Sequence, residues 1–213
     1  MRKAIIVWGG WEGHEPEQGA LVVRDMLVAE GFDVRVEQGS DAFATPDLAE
    51  MSLIVPIFTR ATIEKAPLDN LLAAVKGGCG LGSYHGGLAG SFREEVAFHF
   101  MCGVQWVAHP GNIIDFRVDI TNQTDPITAG LQSFDYHSEQ YYLHVDPAVE
   151  VLATTTCSGE YAEWTAGVVM PVVTKKRFGK GRVFYTALGH VAREFEHPTM
   201  REILRRGLLW AAC

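Results

Sequence analysis

Several things that mark common protein classes are scarce in this chain. Four cysteines, Cys79, Cys102, Cys157 and Cys213, are spread over 213 residues, and no two stand at CxxC spacing. A disulfide-stapled scaffold needs a denser framework and a zinc knuckle needs paired thiols, so neither fits and the thiols are expected to be reduced. Positive charge is short too: 18 lysines and arginines face 26 aspartates and glutamates, for a net charge of -8. A nucleic-acid binder ordinarily carries a basic surplus that displaces condensed counterions. The most basic stretch, Lys175-Lys176-Arg177 with Lys180 and Arg182, falls in an expected hairpin turn. Nucleic acid is therefore not expected as a partner. No uninterrupted apolar run approaches the ~20 residues of a membrane span. The segment up to Trp8 runs into Gly9-Gly10-Trp11-Glu12 without the apolar core and cleavage site of a secretory leader. The expectation is a cytoplasmic protein with no membrane partner. Repeats and low-complexity tracts are missing, and 47% hydrophobic with 21% charged residues excludes a disordered or coiled-coil chain. One domain, residues 1–213, should hold its own core.

What is present alternates. Lys3–Trp8 is a short β-rich run closed by Gly9-Gly10, residues 17–30 repeat apolar side chains near helical spacing, and Gly31 stops them. Residues 33–37 alternate like a strand, and 46–50 read as a small helical piece. Residues 53–58 form a buried-strand candidate that Pro56 should end or bend. Residues 67–76 read as a helix opened by Pro67, and 79–84 as a glycine-rich strand. This is the pattern of a parallel sheet with crossover helices. From Asn112 onward strands dominate: Ile113–Ile120, then 150–155, 168–174 and 182–188, the last two joined by a hairpin at Phe178-Gly179-Lys180-Gly181. Pro198 opens a final helix ending near residue 211.

Four places carry residues suited to chemistry. The loop from Gly9 to Pro16 holds Gly10, Gly13 and His14, but Trp8 stands where a dinucleotide fingerprint has its first glycine, and Trp11 crowds the backbone approach. A substrate-binding loop presenting His14 and a merely irregular loop both remain open. The run Gly80-Leu81-Gly82-Ser83-Tyr84-His85-Gly86-Gly87 looks like a nucleophile elbow, where small residues let a strand turn sharply into a helix and lift one side chain clear. That side chain is usually serine or cysteine; here it is His85, which could act as a base, a nucleophile or a metal ligand. Tyr185-Thr186-Ala187-Leu188-Gly189-His190 is a strand ending in Gly-His. Finally, His137-Ser138-Glu139-Gln140-Tyr141-Tyr142 sets a carboxylate among aromatics, which suits a general acid or a solvated strand edge. His14, His85 and His190 each follow a strand, and open α/β sheets bind ligands at that edge. They converge only if the last strand runs parallel to the others. His99, His109, His144 and His197 belong to no constellation.

Taken in order, these pieces resemble the ThuA-like, or trehalose-utilisation, family. The resemblance rests on Trp8-Gly9-Gly10 with His14, on Gly80 to Gly86 with His85, and on Ser138-Glu139-Gln140-Tyr141-Tyr142. It extends through Pro171-Val172-Val173 and through Gly179-Lys180-Gly181-Arg182-Val183-Phe184-Tyr185 to Leu188-Gly189-His190, closing on Gly207-Leu208-Leu209-Trp210-Ala211. Two departures stand out: Ser138-Glu139-Gln140 replaces Asp-Glu followed by an apolar residue, and Tyr84 replaces an aliphatic residue. The resemblance implies a flavodoxin-like, class I glutamine amidotransferase-like fold, a mostly parallel sheet flanked by helices. With His85 where amidotransferases carry cysteine, it implies no glutaminase activity. It points to carbohydrate metabolism, with a disaccharide or an oxidised (keto) sugar as the small-molecule ligand. In that setting His85, Glu139 and His190 are the candidate catalytic groups. Trp8, Gly10, Trp11, His14, Tyr84 and Tyr141 are the candidate substrate contacts. Acid–base chemistry and a divalent metal such as zinc on His14, His85 and His190 stay open as alternatives. So do a catalytically silent binding module and a homo-oligomer.

Overall fold

Short β-branched runs between glycines and amphipathic stretches build the chain, which a computed structural model describes over residues 1–212. The strands are β1 (Lys3–Trp8), β2 (Asp33–Gln38), β3 (Leu53–Ile57), β4 (Gly80–Tyr84), β5 (Val104–Ala108), β6 (Ile113–Ile120), β7 (Phe134–Glu139), β8 (Tyr142–Val145), β9 (Glu150–Thr156), β10 (Val169–Phe178) and β11 (Gly181–Thr186). The helices are α1 (Pro16–Ala29), α2 (Lys65–Gly77), α3 (Gly86–Ala89), α4 (Val96–Cys102) and α5 (Pro198–Ala211). Nine strands form one sheet in the order β2-β1-β3-β4-β11-β10-β9-β6-β7, while β5 and β8 pair separately. The first five strands of that order are parallel and the remaining pairings antiparallel.

Helices cover both faces of the parallel half, so its inner strands are apolar on both sides, while the edge strand β2 alternates. Along β1 the side chains alternate between two cores: Ala4 and Ile6 join Val23, Leu27, Ile203 and Leu204 of α1 and α5. Ile5 and Val7 join Leu71, Val75, Phe98 and Met101 of α2 and α4. Pro56 does not end its strand. β3 continues to Ile57, pairing along β1 up to Trp8↔Ile57. The proline is tolerated because the ladder to β4 stops at Ile54↔Leu81, so no donor is demanded of it there. The Ser83 hydroxyl instead donates to Pro56 O at 2.5 Å. Likewise α2 begins at Lys65, with Pro67 inside the first turn, where no backbone donor is required.

The hairpin β10–β11 forms across Phe178↔Gly181, and β11 then runs parallel to β4 through Val183↔Leu81 to Thr186↔Tyr84. That pairing puts the carboxyl ends of β1, β4 and β11 on one edge. Cys102 and Cys157 are buried free thiols, and Cys213 lies outside the described residues. Among the described residues no helix is long and apolar enough to cross a membrane.

Candidate active site at the carboxyl edge of the parallel strands

Three loops leave that edge, each carrying one histidine. His14 follows β1, His85 follows β4 and His190 follows β11. Their rings pack together, with centroids 4.7 Å apart for His14 and His85, 4.8 Å for His14 and His190, and 5.3 Å for His85 and His190. His85 sits on a left-handed elbow (φ 47, ψ -124). Its N–H donates to Thr186 O at 2.7 Å, so the neighbouring strand holds the strained turn in place. Gly86 is required beside it: a Cβ there would lie 2.1 Å from Thr59 Oγ1 and 3.1 Å from His14 Nδ1. Gly10 has a structural role of the same kind. At φ +84, a Cβ would lie 2.3 Å from Thr59 O, while the Trp11 N–H donates to that same carbonyl at 2.9 Å. Gly10 thus lets the β1 loop close on Thr59 and is itself no side-chain contact for a substrate.

Glu139 completes the group. It ends β7, and the chain then crosses back over the site through Gln140 and Tyr141 into β8. Gln140 Nε2 fixes the crossing by donating to Thr155 Oγ1 at 2.7 Å. Glu194 fixes it from the other side. Its carboxylate accepts from Tyr136 Oη at 2.7 Å, Ser138 Oγ at 2.9 Å and the His190 N–H at 3.0 Å, joining β7 to the loop after β11. The buried Glu139 carboxylate is ringed by four imidazoles. Oε2 is 3.1 Å from His85 Nε2 and 3.9 Å from His14 Nε2, and Oε1 is 3.7 Å from His109 Nε2 and 3.9 Å from His190 Nε2.

The hydrogen bonds fix where the protons sit. The Ala187 carbonyl can only accept, so His85 Nδ1 carries a proton and donates it across 2.9 Å. The 3.1 Å contact from its Nε2 to Glu139 holds one more proton, shared within that pair. Thr59 donates its only hydroxyl proton to Phe58 O at 2.8 Å, so its oxygen accepts from His14 Nδ1 at 2.8 Å. His14 Nε2 is then bare and points at a carboxylate. Burial, followed by the fields of His85 and His190, pushes His14 down to about 3. His190 is lowered for the same two reasons, burial first and His85 second. For Glu139 burial acts upward, but the His85 hydrogen bond and the fields of His85, His190 and His109 prevail and hold it at about 2. His14, Glu139 and His190 each offer one ligand atom, all within 4.8 Å of one another. His85 is not in that set; its two nitrogens are bonded to Ala187 and Glu139.

Above this floor opens a cavity of about 300 Å³ lined by Trp11, His14, Thr59, Arg60, Arg93, Trp106, His109, Asn112, Glu139 and Tyr141. Two aromatics expected on sugar faces lie elsewhere. Trp8 packs half-buried against the core shared by α1 and α5. Tyr84 is buried edge-on against Phe195, ring centroids 5.0 Å apart, with its hydroxyl where a Cβ on Gly19 would sit. Both belong to parallel strands covered on two faces, so their rings fill the helix layer. Trp11 and Tyr141 do reach the cavity, and the Tyr141 and His85 ring centroids are 4.1 Å apart. His109, Trp106, Arg60, Arg93 and Glu194 stand in none of the motifs that mark the site in the sequence. His109 follows β5 as the other histidines follow their strands, and that regularity was its available signal.

The family model described as ThuA, trehalose utilisation, matches residues 3–211. The chain belongs to the ThuA family. Solved ThuA-like proteins share the architecture: one from Bacteroides uniformis ATCC 8492 superposes with a TM-score of 0.82 at 19% identity, covering 99% of this chain and 91% of that one. Another, from Parabacteroides merdae ATCC 43184, gives 0.79 at 19% identity over 99% and 89%. The β-galactosidase of Bacillus circulans sp. alkalophilus matches at 0.62 and 14% identity, over 99% of this chain and 30% of that much longer one. At such identities the likeness is one of fold, and the ThuA fold is an amidotransferase-like α/β sheet. No curated protein matches the chain.

Proposed function

We propose that this ThuA protein is an enzyme acting on a disaccharide or keto sugar in the cavity above Glu139, assisted by a divalent metal on His14, Glu139 and His190. One observation carries the reading: His14 Nε2, stripped of its proton by the Thr59 bond, faces the Glu139 carboxylate at 3.9 Å. Two lone-pair-bearing atoms aimed at one another repel unless a cation lies between them. Two neutral imidazoles and a carboxylate leave the open position that a catalytic zinc uses to polarise a carbonyl or to lower the pKa of bound water to ~7. The Thr59–His14 bond is the outer contact that orients such a ligand. His14, Glu139 and His190 would hold such an ion between them.

The protein's remaining groups have roles around that centre. His85, anchored on Ala187 through Nδ1, holds and orients the Glu139 carboxylate through Nε2. Trp11, Trp106 and Tyr141 line the cavity that would take the pyranose. The acid–base alternative without metal draws on the 3.1 Å His85–Glu139 bond. Against it, a carboxyl held near 2 is a weak base at neutral pH. Elemental analysis of protein purified without a histidine tag, with turnover assays on keto sugars and disaccharides before and after chelation, decides between them. Stoichiometric metal, lost in His14→Ala or His190→Ala together with turnover, supports the reading. Turnover that survives complete demetallation would overturn it in favour of acid–base catalysis. Sugar binding without turnover at full metal occupancy would mark a binding module.

A further inference from the structure

The cavity carries two cations that no carboxylate among the described residues pairs with. Arg60 and Arg93 both line it, each lying over an indole: Arg60 Cζ is 5.0 Å from the Trp11 ring centroid and Arg93 Cζ 5.1 Å from that of Trp106. Arg93 Nη1 also donates to Trp106 O at 2.7 Å. Elsewhere Arg24, Arg35, Arg117, Arg205 and Arg206 each pair with a carboxylate, while Arg2 and Arg182 bond backbone carbonyls instead. Among the described residues no carboxylate lies within ion-pair distance of Arg60 or Arg93, although Glu94 and Glu95 border the adjoining groove. What sets Arg60 and Arg93 apart is their place: in a chain of net charge -8 they bring two guanidinium groups to the lining of one cavity.

Their backbone is built to present them. Arg60 takes a left-handed φ of 56, and Phe92, next to Arg93, one of 44, conformations that strain a non-glycine residue. Cross-bonds hold both: the Arg60 N–H donates to Gly90 O at 3.1 Å and the Phe92 N–H to Ala61 O at 3.1 Å. A guanidinium resting on a ring face keeps its in-plane N–H donors free for the planar oxygens of a carboxylate or phosphate.

We propose that the substrate is an anionic sugar, whose carboxylate or phosphate is held by Arg60 and Arg93 while its reacting carbon lies toward Glu139. This rests on reading the cavity as a sugar site. Titration calorimetry on the full chain with glucose, glucuronate, glucose 6-phosphate and inorganic phosphate tests it, in the wild type and in Arg60→Gln/Arg93→Gln, which keeps both stems. The expected result is that a charged sugar binds roughly tenfold or more tightly than glucose, and that the double variant erases this preference while melting with the wild type. Whichever of glucuronate and glucose 6-phosphate binds more tightly identifies the anion. Glucose binding as tightly as both charged sugars, or a preference that survives the double variant, overturns the anionic assignment and leaves the sugar site standing. Arginine-dependent binding of phosphate with no sugar binding keeps the anion site and removes the sugar reading. Binding of none of the four removes both.

Discussion

Thr59→Val is the sharpest single perturbation of the candidate site. It keeps the shape of the side chain and deletes one atom's function, the hydroxyl oxygen that accepts from His14 Nδ1 at 2.8 Å. His14 is only 11% exposed, so the stranded N–H finds little water, and the expected cost to the metal-free protein is ~1–3 kcal/mol. The imidazole is also released to the other tautomer, which turns an N–H rather than a lone pair toward Glu139. Loss of such an outer contact lowers metal affinity ~10–100-fold. At zinc held a hundredfold above the wild-type Kd, metal stabilises the fold by ~2.7 kcal/mol, falling to ~0.4–1.4 kcal/mol in the variant. For a chain of this length that is a zinc-induced rise in Tm of ~5–11 °C shrinking to ~1–6 °C. Scanning calorimetry with and without zinc measures it, and Thr59→Ser should keep the full shift. A Thr59→Val protein that retains the wild-type zinc shift would refute the tautomer argument.

Further outcomes follow from groups away from the floor of the site. Lys175, 12% exposed, pairs with the buried Asp125 and lies 3.3 Å from Glu150; Lys175→Met leaves Asp125 buried without its cation, and urea denaturation should show a loss of ~2–4 kcal/mol, partly recovered by adding Asp125→Asn. Glu202 is held at about 2 by hydrogen bonds from Arg205, with burial opposing and Arg206 adding to the pull. Its folded value lies below its unfolded one, so it contributes stability above pH ~4.5 that is lost as pH falls toward ~2. Glu202→Gln should flatten that acid limb by ~1 kcal/mol, as partly exposed pairs contribute. Glutamine should release no ammonia in a coupled glutaminase assay, because the elbow carries His85; release abolished by His85→Ala would contradict this.

The parallel half was readable because its inner strands are apolar on both faces, its edge strand β2 alternates, and its turns carry glycine, as at Trp8-Gly9 and Gly77-Gly78. His14, His85 and His190 could be singled out because each follows such a strand. What could not be read was the direction of β11, on which their meeting depends. That direction is set by hydrogen bonds to β4, eighty or more positions away in the chain. Glu194 carries no local pattern at all; its role arises only when Tyr136, Ser138 and the His190 N–H arrive together. The placement of Trp8 and Tyr84 went the other way. An aromatic at a strand end is equally suited to a ligand and to a helix layer, and here the packing of α1 and α5 decided it.

The central claim is that a cation belongs between His14, Glu139 and His190. Crystals of untagged protein grown with zinc, measured on both sides of the zinc absorption edge, test it directly. The account predicts one strong anomalous peak about 2 Å from His14 Nε2, a Glu139 oxygen and a His190 nitrogen, with His85 bonded to the carboxylate rather than to the metal. A site left empty at saturating zinc, or a peak ligated by His85 in place of Glu139, would contradict it.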